Sequence, residues 1–146
     1  IIHPTHAFFG EKDAQQSHII KKMIIDLNFN IKFVPCPTLR DANGLALSSR
    51  NNYLNTQNKK SASLLYKSLK VVKTAMENGE NDVDKLKNMF LKSIKKNSDF
   101  KVDYISIACN GSLDELTVIV DNVLISAAVF FKNVRLIDNL TYQSST

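Results

Sequence analysis

A chain of 146 residues fits one ordinary domain or two small units, and it is long enough for a real core. Its 44% hydrophobic and 23% charged residues are the composition of a soluble globular protein. It carries no apolar run of membrane-spanning length and no signal-peptide pattern, so the sequence predicts a cytoplasmic location and no membrane partner. The net charge of +5 raises a nucleic-acid partner as a question. Much of the excess lies between Lys59 and Lys101, however, spread over helical faces among Leu, Val and Phe. Without an aromatic-and-arginine platform for stacking bases, those lysines read as a solvated face, and no nucleic-acid partner is predicted.

His6 to Phe9 ("HAFF") read as a short buried strand closed by Gly10. The chain opens at Ile1, almost directly on this strand, as a piece of a longer protein would. Asp13 stands three residues before Gln16, the spacing of a capping box. Ile19, Ile20, Met23, Ile24 and Leu27 then recur at helical spacing, and Asn28 ends the helix. Asn30 to Val34 ("NIKFV") read as a second strand. Strand, helix of about four turns and strand make a βαβ unit of a parallel sheet. Pro35 and Pro37 should break regular structure and mark a hinge or domain seam.

After the turn signal "RDANG", Asn55 or Thr56 can cap a long helix with the stripe Ala62, Leu65, Leu69, Val72 and Met76, and Gly79 follows its end. Asp82 can cap another helix, with the stripe Val83, Leu86, Phe90 and Ile94. "VDYISIAC", "VLISAAVFF" and "VRLID" read as strands. Two helices followed by three strands indicate an α+β unit distinct from the first piece. Cys36 and Cys109 stand in no Cys-x-x-Cys pattern and read as reduced core cysteines. Tyr53 and Phe90 read as packing residues, and His18 as a residue on a helix flank.

Two short stretches can carry chemistry. "GEKD" hands a strand over to a helix, where exposed N–H groups and the positive helix end favour a phosphate. Lys12 would add a point charge there, and Asp13 could cap the helix, accept from a ribose, or do both; on this segment alone the preferred reading is Asp13 as a cap and Lys12 as a surface lysine. Gln15 and Gln16 could bind a hydroxylated substrate or be ordinary first-turn residues. "LALSSRN" (Leu45–Asn51) is either a solvated turn or an anion clamp, since hydroxyls, backbone N–H groups and a planar guanidinium suit phosphate oxygens. His3 and His6 form an H-x-x-H with Pro4 between them and no acidic partner nearby, so no metal site is assigned.

Taken together, "FGEKDAQQ" (Phe9–Gln16) and "GLALSSRNNYL" (Gly44–Leu54) resemble the pantothenate synthetase (pantoate–β-alanine ligase) family, as does "RLIDN" (Arg135–Asn139). The resemblance runs over nearly the whole chain. It implies an α/β fold: residues 1–40 as the C-terminal part of a Rossmann-like ATP- and pantoate-binding domain, and residues 41–146 as a small α+β lid domain. It also implies ATP-dependent condensation of pantoate with β-alanine through a pantoyl adenylate, releasing pyrophosphate and AMP. Mg²⁺ would ride on the ATP phosphates, and the full protein would be a homodimer through its N-terminal domain. The family's earlier glycine-rich segment with two histidines is not in this sequence, so the segment alone should be inactive.

Carried over residue by residue, Phe9, Gly10, Lys12, Asp13, Leu39, Leu47, Ser48, Ser49 and Arg50 would bind ATP. Gly10 and Asp13 would lie at the ribose, Lys12 at the phosphates, and the backbone near Leu39 and Leu47 at the adenine. Ser48, Ser49 and Arg50 would hold the phosphate tail, and Gln16 would hydrogen-bond pantoate. Lys12, Ser48, Ser49 and Arg50 are the residues expected to act in catalysis. The family often has Met where Leu47 stands and an aromatic residue where Ala14 stands; both departures concern packing. Two other classes fit parts of the pattern: another nucleotidylyltransferase-superfamily fragment with a similar Ser-rich loop, and a lysine-rich nucleic-acid-binding module.

Overall fold

In the computed structural model, described for residues 2–144, the chain divides into two compact units, Ile1–Leu39 and Arg40–Thr146. It is a mixed α/β protein with one parallel and one antiparallel sheet. Among the described residues, no helix is long and apolar enough to cross a membrane.

In the first unit, strand β1 (His6–Gly10) pairs in parallel with β2 (Lys32–Cys36), and helix α1 (Ala14–Asp26) connects them. Asn28 ends the helix as its sequence suggests. It adopts a left-handed φ of 50°, and the N–H groups of Asn28 and Phe29 donate to the carbonyls of Ile25 and Ile24. Three expectations need correction. β1 is not buried: Ala7 and Phe9 are half-covered, whereas His6 and Phe8 face solvent, because strand side chains alternate and a parallel sheet needs cover on both faces. Of the α1 stripe only Ile24 is buried and Ile20 half-buried; Ile19, Met23 and Leu27 are exposed, since two five-residue strands offer too little surface to cover it. β2 begins two residues later than read and includes Pro35, opposite Phe9. Proline is tolerated because β2 pairs on one side only, so no neighbour requires the missing N–H.

The second unit holds α2 (Thr56–Ala62), α3 (Leu64–Glu77), α4 (Val83–Ile94) and the antiparallel sheet β3 (Phe100–Cys109), β4 (Asn122–Phe131), β5 (Val134–Gln143), in that strand order. Asn55 caps α2 by accepting from the Asn58 N–H at 2.8 Å, and Asp82 caps α4 by accepting from Lys85 N–H at 3.0 Å. Gly79, at φ +91°, closes α3. The single long helix read from the sequence is divided at Ser63, whose hydroxyl donates to the Lys60 carbonyl at 2.7 Å, a local bond that competes with the helical ladder. The stripes Leu65, Leu69, Val72, Met76 and Leu86, Phe90, Ile94 are buried and join Ile107, Ile125, Val129 and Phe131 in one core. A buried hydroxyl pair, Ser68 to Ser93 at 2.9 Å, ties α3 to α4.

β4 is the central strand and is buried nearly throughout, consistent with an apolar run interrupted only by Ser126. β5 continues through "NLTYQ", well past the apolar residues that announce it, because the β4 ladder pairs as far as Gln143. Tyr53 does not pack but is exposed, and both cysteines are free and only half-buried, so neither is a core thiol.

Candidate functional site

The first candidate segment stands where the parallel strand β1 ends. Gly10 is extended (φ −71°, ψ 131°), Glu11–Asp13 form one 3-10 turn, and α1 starts at Ala14. A helix N-terminus beside the carboxyl end of a parallel strand is a standard anion-binding position. The capping box predicted here is not formed. Asp13 occupies the N-cap position but makes no side-chain capping bond, because the preceding 3-10 turn places its backbone at φ −97°, ψ 62°. Its carboxylate is exposed, as are Gln15 and Gln16, while Lys12 and Phe9 are half-exposed. Gly10 has an ordinary φ, and a Cβ added there would meet nothing within 4 Å. Neither backbone conformation nor internal packing therefore requires glycine at this position.

The second segment is built within the other unit. Arg40 and Ala46 form an antiparallel bridge around a tight turn. Asp41 organises that turn: its carboxylate accepts from Asn43 and Leu45 N–H at 2.8 and 3.0 Å, and its carbonyl accepts from Gly44 N–H at 2.9 Å. Gly44 is required, since its φ is +93° and a Cβ would lie 2.7 Å from the Tyr66 ring. Leu45, Ala46, Asn51 and Leu54 are buried, whereas Leu47, Ser49 and Arg50 are exposed and Ser48 is half-buried. The apolar ends thus anchor a loop whose polar middle faces water.

Ser48 caps a second 3-10 turn (Ser49–Tyr53), accepting from the Arg50 N–H at 3.3 Å. Its hydroxyl proton remains available as a donor. The Arg50 guanidinium has no ion-pair partner in the structure's described residues. An exposed, uncompensated Arg beside two hydroxyls has the chemistry to take a phosphate. Leu39, the other residue expected near a base, is exposed as well.

The sequence reading gave no supporting role to five residues. Arg40, Asp138, Tyr66, Gly44 and Asn51 brace this loop from behind, and the one visible signal was Asp138–Asn139, a polar pair interrupting an apolar strand.

The sequence profile described as Pantoate-beta-alanine ligase matches residues 1–141. The chain belongs to the pantoate–β-alanine ligase family. Among similar relatives, a pantothenate synthetase from Clostridium botulinum (strain Loch Maree / Type A3) is 46% identical over 143 residues, covering 98% of this chain and 51% of the relative. One from Caldicellulosiruptor bescii is 42% identical over 144 residues, covering 99% and 51%. The crystal structure of the Thermus thermophilus pantothenate synthetase superposes with a TM-score of 0.87 at 35% identity, covering 93% of this chain and 49% of that one. A pantoate–β-alanine ligase from Francisella tularensis, complexed with Beta-gamma ATP and Beta-alanine, superposes at 0.59 with 29% identity, covering 94% and 44%. The chain therefore spans about half the length of the pantoate–β-alanine ligases it matches.

Proposed function

We propose that this chain is the C-terminal portion of an ATP-dependent pantoate–β-alanine ligase. Residues 1–40 would be the last part of its Rossmann-like nucleotide-binding domain and residues 41–146 its lid. The observation that most supports this reading is the loop Leu47–Arg50 of a family member: Ser49 and Arg50 face solvent and Ser48 is half-buried, while its flanking residues are buried. The segment alone is inactive in this reading, and the cytoplasm is the site of the complete enzyme, a homodimer through its other half. Neither nucleic acid nor membrane is a partner.

The reaction has two steps. The pantoate carboxylate attacks the α-phosphorus of ATP, forming pantoyl adenylate and expelling pyrophosphate. The β-alanine amine then attacks the activated carbonyl, forming pantothenate and releasing AMP. Adenylation itself creates the leaving group, so the protein needs no covalent nucleophile and works by positioning and charge stabilisation. Lys12 binds the phosphates and stabilises the charge that builds during adenylation. Phe9, Gly10 and Asp13 meet the nucleoside, and the Asp13 carboxylate, unused as a helix cap, accepts from a ribose hydroxyl. Gln16 hydrogen-bonds pantoate. Ser48, Ser49 and Arg50 hold the phosphate tail, and the backbone near Leu39 and Leu47 meets the adenine. Mg²⁺ enters with ATP as part of the substrate. No group of three or more His, Cys, Asp or Glu among the described residues converges to hold an ion.

Replacing Arg50 by Ala in the full-length protein tests the loop. The loss of charge-assisted hydrogen bonds should raise the KM for ATP roughly ten- to a hundredfold while leaving that for β-alanine nearly unchanged. A larger effect on β-alanine than on ATP would reject the assignment. Gly10→Ala offers a second check. Alanine accepts φ −71° without strain, so the substitution should be neutral or stabilising by up to about 1 kcal/mol in thermal unfolding. If a ribose must approach the backbone closely, ATP affinity should nonetheless fall at least roughly tenfold. Unchanged ATP affinity in titration calorimetry would remove Gly10 from the site.

A further inference from the structure

The ion pair between Arg40 and Asp138 does not explain itself as a stabilising contact. Its side chains are only 16% and 3% exposed. For a pair so buried, the desolvation penalty roughly cancels the attraction, and an apolar pair of the same size would hold the core as well. What an apolar pair cannot do is fix direction. The Arg40 fork donates to both Asp138 oxygens, at 2.6 and 2.9 Å, while its plane lies 3.8 Å over the Tyr66 ring. With those contacts fixed, one of the same nitrogens donates at 3.2 Å to the Gly44 carbonyl, four residues before Ser48. The backbone of Arg40 meanwhile bridges Ala46.

The other end of the loop has its own tie. The Asn51 amide donates to the Ala46 carbonyl at 2.9 Å in a buried bond, spanning Leu47, Ser48, Ser49 and Arg50. The Asn51 Oδ1 is buried with no hydrogen-bond partner, a cost accepted while the amide nitrogen is held on Ala46. Ala46 is thus gripped from both sides, and the four residues between it and Asn51 form a short span with fixed ends.

We propose that Arg40 and Asn51 are positioning residues: braced by Asp138 and Tyr66, they hold Leu47–Arg50 in one conformation so that its hydroxyls and guanidinium are preset for the nucleotide phosphates. This rests on the proposed role of the loop in binding ATP. Preorganisation of this kind acts on binding by removing the ordering cost that a loose loop would incur.

Arg40→Lys and Asn51→Ala in the full-length protein separate the possibilities. Lysine keeps the charge but replaces the rigid fork by one point donor on a flexible stem. Both variants should speed hydrogen exchange at the Arg50 and Asn51 amides at least tenfold, and both should raise the KM for ATP with little change in that for β-alanine. Arg40→Lys should lose ATP affinity even where its thermal midpoint matches the parent, which a purely structural role would not produce. Unchanged exchange at these amides in either folded variant overturns the brace. Faster exchange with unchanged ATP dependence overturns the preset for phosphates, whereas loss of the loop's own role in binding ATP is read separately by Arg50→Ala. If one variant fails to fold, the other reads the same span from its opposite end.

Discussion

Lys12→Ala should lower the rate of pantoyl-adenylate formation in the full-length protein by about two powers of ten or more. That is the usual consequence of removing one preorganised charge from the place where transition-state charge develops. Lys12 lies in the 3-10 turn Glu11–Asp13, between the carboxyl end of β1 and the first turn of α1. The turn fixes its backbone, and the adjacent helix end contributes a partial positive charge of its own. Single-turnover pyrophosphate release isolates the adenylation step. The β-alanine step, measured from preformed adenylate, should change far less. Near-normal adenylation in Lys12→Ala would sink the assignment of Lys12, whatever the loop around Arg50 does.

Asp138→Ala should be strongly destabilising for the second unit. It would leave the Arg40 guanidinium, 16% exposed, without its carboxylate. Breaking a buried pair in this way costs about 3–5 kcal/mol, a large share of the roughly 5–15 kcal/mol by which domains are stable. The same chemistry at the exposed end of β5 provides the control. Arg135 also donates twice to one carboxylate, Asp103, at 3.0 and 2.8 Å. Those side chains are 44% and 39% exposed, so solvent screens the pair. Asp103→Ala should therefore cost about 1 kcal/mol or less. Denaturant unfolding of the two variants under one set of conditions makes the comparison. Equal losses would show that burial does not set the value of the Arg40–Asp138 pair.

Much of the second unit was legible because its information is local. Leu65, Leu69, Val72 and Met76 repeat at helical spacing, and that spacing marks the face they bury, although the strands that cover it stand far along the chain. Asn55 and Asp82 cap their helices through residues only three positions away, which spacing alone predicts. The first unit was less legible by the same logic. Ile19, Met23 and Leu27 repeat just as regularly, but periodicity tells which face is apolar and not whether anything covers it. Asp13 and Gln16 have capping-box spacing, yet a 3-10 turn changes the backbone at Asp13 and the bond is not made. Motif spacing sees residue types, whereas a cap needs particular dihedral angles.

The sequence by itself named candidate residues suited to phosphate, Lys12 and Ser48 to Arg50, and the family motifs that hold them. It also determined the order of the strands and α-helices, apart from the break at Ser63, while the two 3-10 turns, the start of β2 and the end of β5 were not read. Only the tertiary structure decided which of those residues are available: Ser49 and Arg50 outward, Leu45, Ala46, Asn51 and Leu54 inward. It alone brought Arg40 to Asp138, 98 positions away, and Tyr66 to Gly44. Such contacts join residues whose separation along the chain carries no periodic signal. They arise only once α3 and β5 have packed, and their packing puts a ring and a carboxylate where a single guanidinium can meet both.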